Sequence, residues 1–261
     1  RFLSQSQNDF AEVVGQKEAR FAAELAAIGG HHFLMIGAPG AGKTMIAQRL
    51  PSILPELSRD AAIEVGALHS LTGGFNERSP FSLVPPFIAP HHSASRVAIV
   101  GGGANVIRPG ACSLAHNGVL FIDEAPECDS GILDSLRQPL ESGSISISRS
   151  IGTVTFPAQF LLVLAANPCP CGKFLGRGRN CTCSSLQVRR YLAKLSGPLM
   201  DQIDLRIEVD SISRSELSAN HNGETSVEIR KRVMCARERA AARFIQYPWK
   251  LNSQIPSQLL R

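Results

Sequence analysis

Two short stretches carry residues whose types and spacing could do chemistry on a phosphate. Gly37-Ala38-Pro39-Gly40-Ala41-Gly42-Lys43-Thr44 fills the pattern G-x-x-x-x-G-K-[ST] at every defining position. Glycines let the backbone curl so that its N–H groups converge on phosphate oxygens, and a helix beginning there adds its positive end. Lys43 can then reach the β- and γ-phosphates, and Thr44 offers a hydroxyl to Mg²⁺. Further along, Asp123 and Glu124 close the apolar run Gly118-Val119-Leu120-Phe121-Ile122. Asp123 is suited to hold Mg²⁺, directly or through water, while Glu124, turned differently, can orient or deprotonate an attacking water. A third apolar run, Phe160 to Ala166, ends in Asn167. An amide there could hydrogen-bond the water and the γ-phosphate. The cofactors read from these stretches are ATP and Mg²⁺, with Glu124, Lys43 and Asn167 as the candidate catalytic residues.

A second kind of chemistry is offered by Cys169, Cys171, Cys181 and Cys183, four of the seven cysteines, in a C-x-C, nine residues, C-x-C arrangement. Four thiolates can surround one Zn²⁺ tetrahedrally, although the spacing departs from the usual C-x-x-C knuckle; an iron–sulfur centre and unmetallated thiols are the competing readings. Gly172, Gly176, Arg177, Gly178 and Arg179 between the pairs suit a small loop held by the metal. His91-His92 is a poorer metal pair: adjacent positions point apart and no third ligand is near, so a loop or interface role is the better reading.

The elements that must position these groups follow from apolar patterning. Phe33-Leu34-Met35-Ile36 reads as a buried strand into the glycine-rich loop, and Met45 to Leu50 as the first turns of a helix that Pro51 and Pro55 interrupt. Ahead of them, residues 17–28 are Ala-rich with helical spacing, and Val14-Gly15-Gln16 lies where a segment can fold back over an adenine base. Ser58 caps a helix to Leu68, residues 130–142 form one short amphipathic helix, and residues 144–148 and 153–156 are a hairpin around Arg149-Ser150-Ile151-Gly152. Residues 70–118 are long, Pro- and Gly-rich and irregular, a length that is usually functional inside a compact domain. The fold class is therefore α/β, a parallel sheet flanked by helices.

The 261 residues allow one large domain plus a smaller one, and 44% hydrophobic with 19% charged residues is ordinary for a globular protein. A net charge of +5 permits a nucleic-acid partner without requiring one. No run approaches the roughly 18 apolar residues of a membrane span, so no membrane partner is expected and the location reads as cytoplasmic. The chain starts at Arg1 and reads as a piece of a longer one.

Taken together, Gly29 to Thr44, Ala89-Pro-His-His-Ser-Ala-Ser95, Arg108-Pro-Gly-Ala, Leu114-Ala-His-Asn-Gly-Val, Leu136-Arg-Gln-Pro-Leu-Glu141, Asn167-Pro-Cys-Pro-Cys-Gly172 and Leu195-Ser-Gly-Pro-Leu-Met-Asp201 resemble the ComM/YifB group of magnesium-chelatase-like AAA+ ATPases. The resemblance covers nearly the whole chain. It implies a ring-forming ATPase, usually a homo-hexamer, with a helix-2 insert within 70–118 and a pre-sensor-1 hairpin at 144–156, both facing a central pore. It implies action on single-stranded or branched DNA as a branch-migration helicase in natural transformation, and makes Arg96, Arg108 and Arg149 the candidate DNA contacts. It implies residues 1–210 as the core and 211–261 as the start of a helical lid, with an N-terminal Lon-protease-like domain and more of the lid outside this chain. One position departs from the group: Gln202 stands where similar proteins have the arginine that completes a neighbouring subunit's site, so that either Arg206, Arg189 or Arg190 substitutes or hydrolysis is weak. Two alternatives remain open: a chelatase-type motor that remodels a protein partner, and a nucleotide-bound scaffold without turnover.

Overall fold

The structure, a computed structural model, describes residues 8–73, 82–103, 106–149, 152–174, 180–210 and 223–259. Ser150 and Ile151 of the expected hairpin turn, Gly176, Arg177, Gly178 and Arg179 of the cysteine loop, residues 74–81 and 104–105 of the expected insert, and residues 211–222 of the expected lid lie outside the described residues.

The centre is a parallel sheet whose inner strands are apolar on both faces, as strands covered by helices on each side must be. These are β1 (Phe33–Gly37), β5 (Val119–Ile122) and β8 (Leu161–Ala166), with β2 (Phe87–Ile88) and β9 (Leu205–Val209) at the edges. The order is β2-β5-β8-β1-β9, all neighbours parallel. Phe121, Val163, Phe33 and Leu205 stand in one row across four strands. The side chains then sort with the two-residue period of a strand. Phe33, Met35, Val119, Phe121, Leu161, Val163 and Ala165 join one core, and Leu34, Leu120, Ile122, Leu162, Leu164 and Ala166 the other.

The first core is covered by α1 (Lys17–Gly29) and α2 (Lys43–Ile53), the Ala-rich face of α1 letting it lie close to the sheet. The long helix α10 (Ser226–Arg243) adds Ile229 and Val233 to the same core. Its attachment is polar as well: Arg232 holds Glu24 and Glu224, Arg237 donates to the Ala27 carbonyl at 2.8 Å, and Arg230 to that of Ser52. The opposite core is closed by α3 (Arg59–Ser70), α5 (Ala111–Leu114), α6 (Ser130–Ser135), α7 (Arg137–Ser142), α9 (Gly197–Met200) and the inner face of a hairpin, β6 (Ser144–Arg149) with β7 (Gly152–Pro157).

Three expectations need correction. Pro51 does not end the helix after the glycine-rich loop; α2 runs through it to Ile53, because only one backbone bond is forfeited in a final turn whose apolar side chains are all buried. Residues 130–142 form two short helices meeting at Leu136, with Pro139 early in the second. The irregular stretch 70–118 contains sheet: β2 pairs with β5, and β3 (Gly101–Gly102) with β4 (Arg108–Pro109) makes a small ribbon beside α4 (Arg96–Val100).

Candidate functional site

Parallel strands present their carboxyl ends at one edge of the sheet, where open α/β folds hold ligands. Here that edge carries the glycine-rich loop after β1, Asp123 and Glu124 after β5, and Asn167 after β8, with β8 lying between the other two strands. Gly40 and Gly42 take φ of +80° and +91°, which lets the loop turn tightly into the start of α2. Lys43 is buried and its ammonium donates to the carbonyls of Gly37 at 2.7 Å and Ala38 at 3.0 Å and to Oδ1 of Asn167 at 3.2 Å. Burial lowers its pKa, and the carboxylates of Asp123 and Glu124 oppose that shift.

Thr44 Oγ1 donates to Asp123 Oδ2 at 2.8 Å, so the two hard oxygen donors that suit Mg²⁺ are side by side at the mouth of the loop. Glu124 adopts φ +49°, ψ +41°, a left-handed conformation that a non-glycine residue holds at a cost of roughly 1–3 kcal/mol. Its carboxylate meets His92 Nδ1 at 3.2 Å. His92 belongs to the turn after β2, and because β2 neighbours β5 the turn arrives beside Glu124. The rings of His91 and His92 lie 4.1 Å apart, against the expectation that adjacent positions point apart, since the chain turns there instead of extending. Sequence reasoning missed the His92–Glu124 pair; only the strand order reveals it.

Gln16 also sits in the left-handed region, at φ +50°, and its amide donates to the Ala41 carbonyl at 3.2 Å and to that of Asp210. The segment Val14-Gly15-Gln16 is thereby tied to the glycine-rich loop and to the end of β9. On the sheet's other side of the cleft, Tyr191 of α8 (Ser185–Leu192) is buried, and burial together with the Glu127 carboxylate keeps its phenol neutral, above the ordinary range.

The four clustered cysteines are reduced, and their sulfurs all lie within 4.8 Å of one another. Three separations are 3.3, 3.6 and 3.6 Å. Tetrahedral thiolates around one Zn²⁺ sit about 3.8 Å apart for Zn–S bonds of about 2.3 Å. The set fits a single ion and is too tight to enclose a cluster of several irons. Backbone N–H groups of Lys173 and Thr182 pull the Cys171 thiol down to about 5, whereas desolvation pushes that of Cys181 up to about 12.

Arg108 and Arg149 come together at the β3–β4 ribbon: Arg108 pairs with Gly102, and a Cβ on Gly102 would lie 3.6 Å from the Arg149 guanidinium and 3.2 Å from Val97, the neighbour of Arg96. All three arginines are exposed, and among the described residues none forms an ion pair. Gln202 follows α9, half-buried; Arg206 on β9 donates to the Met200 carbonyl at 2.7 Å, and Arg189 and Arg190 are exposed on α8.

Comparison with known proteins gives a consistent picture. The family profile described as magnesium chelatase, subunit ChlI, matches residues 9–217. The protein YifB of Escherichia coli is 44% identical over 256 residues, 98% of this chain and 49% of its own length. Competence protein ComM of Haemophilus influenzae is 46% identical over 239 residues, 91% of this chain and 46% of its own. The chain thus spans about half the length of these relatives. A solved complex of magnesium chelatase subunits BchI and BchD shares the fold, with TM-score 0.55 at 22% identity over 90% of this chain and 76% of that one. Among the described residues no helix is long and apolar enough to cross a membrane.

Proposed function

Because the chain belongs to the magnesium chelatase, subunit ChlI, family of AAA+ proteins, we propose that it is the ATP-hydrolysing core of a ring-forming motor that acts on DNA. The observation that carries the ATPase part is the meeting of Lys43, Thr44, Asp123 and Asn167 at one sheet edge. In this reading the N–H groups of residues 37–44 cradle the phosphates, and Lys43 exchanges its carbonyl partners for β/γ-phosphate oxygens. Thr44 and Asp123 would hold Mg²⁺, whose positive charge would offset the charge that develops on the phosphates during transfer. Glu124 accepts a proton from, or orients, the attacking water, and Asn167 fixes that water and the γ-phosphate relative to Lys43. His92 restrains Glu124 between turnovers. Zn²⁺ in the four-thiolate site is a structural cofactor and takes no part in phosphoryl transfer.

Support for DNA is electrostatic. Arg96, Arg108 and Arg149 cluster around two ribbons without ion-pair partners among the described residues, which suits a phosphate backbone. The relative named for competence agrees with this, and a homo-hexamer, with residues 211–261 opening a helical lid, is the assembly proposed. A chelatase-type partner-remodelling role shares the family but has no such explanation for the arginines. Trapping tests the reading: the full-length protein with Glu124→Gln, given ATP and Mg²⁺, is expected to bind labelled single-stranded DNA tightly as a hexamer. DNA binding equal with and without ATP would remove the motor.

A further inference from the structure

We infer that one Zn²⁺ held by Cys169, Cys171, Cys181 and Cys183 braces the nucleotide site, fixing Asn167 and the glycine-rich loop from behind. This deepens the reading above and rests on the assignment of residues 37–44 and Asn167 to that site. The first ligand pair begins two residues after Asn167, whose amide touches Lys43. The turn it forms, closed by Gly172 N–H donating to the Cys169 carbonyl at 2.9 Å, lies on the glycine-rich loop: a Cβ on Gly172 would be 2.6 Å from Cδ of Pro39. The second pair ends at Cys183, immediately before Ser184, which caps α8 through reciprocal bonds with Gln187. That helix carries Tyr191 back to the acid side of the cleft, near Glu127.

The metal therefore ties the exit of β8, which carries Asn167, to the start of α8. With no cation among four sulfurs that all lie within 4.8 Å of one another, only weak S–H attractions hold the loop ends together. Loss of the ion releases the turn under Pro39 and the start of α8 at once. The strand β8 itself, buried on both faces, stays in place. The predicted consequence is local: ATP still binds, but the alignment of Asn167 with Lys43 is lost.

The test uses full-length protein purified without added metal. Elemental analysis is expected to find one zinc per chain; no metal, or iron in its place, overturns the inference. Cys181→Ser and Cys183→Ser are expected to lose the zinc and to exchange amide hydrogens faster in residues 37–44 and 167–174 while β6 is unchanged. Should either variant fail to fold, wild-type protein depleted by a chelator and reloaded with Zn²⁺ or Cd²⁺ gives the same comparison. Zinc loss with no change in exchange at residues 37–44 overturns the brace. Turnover at saturating ATP is expected to fall by about tenfold or more on depletion, as the loss of one hydrogen bond to a charged group implies, and to return on reloading. Absent turnover in zinc-loaded protein counts against the ATPase reading alone, because metal content and exchange are read without it.

Discussion

Replacing Asn167 with alanine separates binding from chemistry. The amide lies 3.2 Å from the Lys43 ammonium, which keeps two other acceptors, the carbonyls of Gly37 and Ala38. The resting lysine therefore remains tethered, and ATP affinity should change little. In the transition state the same amide is asked to align water, γ-phosphate and lysine. A hydrogen bond to a charged group is worth about 1.5–3 kcal/mol, and at 1.36 kcal/mol per factor of ten this is about 13- to 160-fold in kcat. Asn167→Asp restores an acceptor for Lys43 but sets a carboxylate beside the phosphates, so it should be no faster than the alanine variant. Steady-state hydrolysis resolved into kcat and KM, alongside equilibrium binding of a fluorescent ATP analogue, makes the measurement. A kcat within about threefold of wild type, or a loss carried wholly by KM, would refute the role given to this residue.

Other consequences can be checked independently. His32 is half-buried with Nδ1 accepting the Leu162 N–H at 3.0 Å, and desolvation holds its pKa at about 4 against an ordinary 6.5. The unfolded chain binds this proton first, so stability should fall as pH drops from 6.5 toward 4, by about 1.4 kcal/mol per unit. Denaturation in His32→Asn, which keeps an acceptor, should lack that component. His92→Ala frees Glu124 from a half-exposed contact worth at most about 1 kcal/mol, so DNA-free turnover should rise by no more than about fivefold. A loss as deep as that of Glu124→Gln would instead make His92 part of the chemistry. Arg108→Ala and Arg149→Ala should each reduce the salt dependence of single-stranded DNA binding by about 0.7 in log–log slope; an unchanged slope for both would take these residues off the DNA path.

The features legible in the sequence were those whose signal is local. Four defining positions in eight residues gave the glycine-rich loop, and unbroken apolar runs of β5 and β8 announced strands buried on both faces, with Asp123, Glu124 and Asn167 at their ends. The cysteine pairs were readable because the sequence itself brings them near one another. What escaped depends on tertiary context. The strand β2 has two residues, too few for any period, and exists because Phe87 and Ile88 meet Val119 and Leu120. The same pairing puts His92 against Glu124 across 32 positions of chain. The persistence of α2 through Pro51 was hidden for a like reason, since burial of Leu50 and Ile53 outweighs one missing backbone bond.

The central claim is that this site hydrolyses ATP in response to DNA. The most direct measurement is steady-state ATP hydrolysis by the full-length protein with and without forked or single-stranded DNA, beside Glu124→Gln. Turnover raised by DNA and abolished in the variant is the predicted result, and it would mean that another group serves where Gln202 carries no charge. ATP binding without turnover, in the presence or absence of DNA, would contradict the account and leave a nucleotide-bound scaffold.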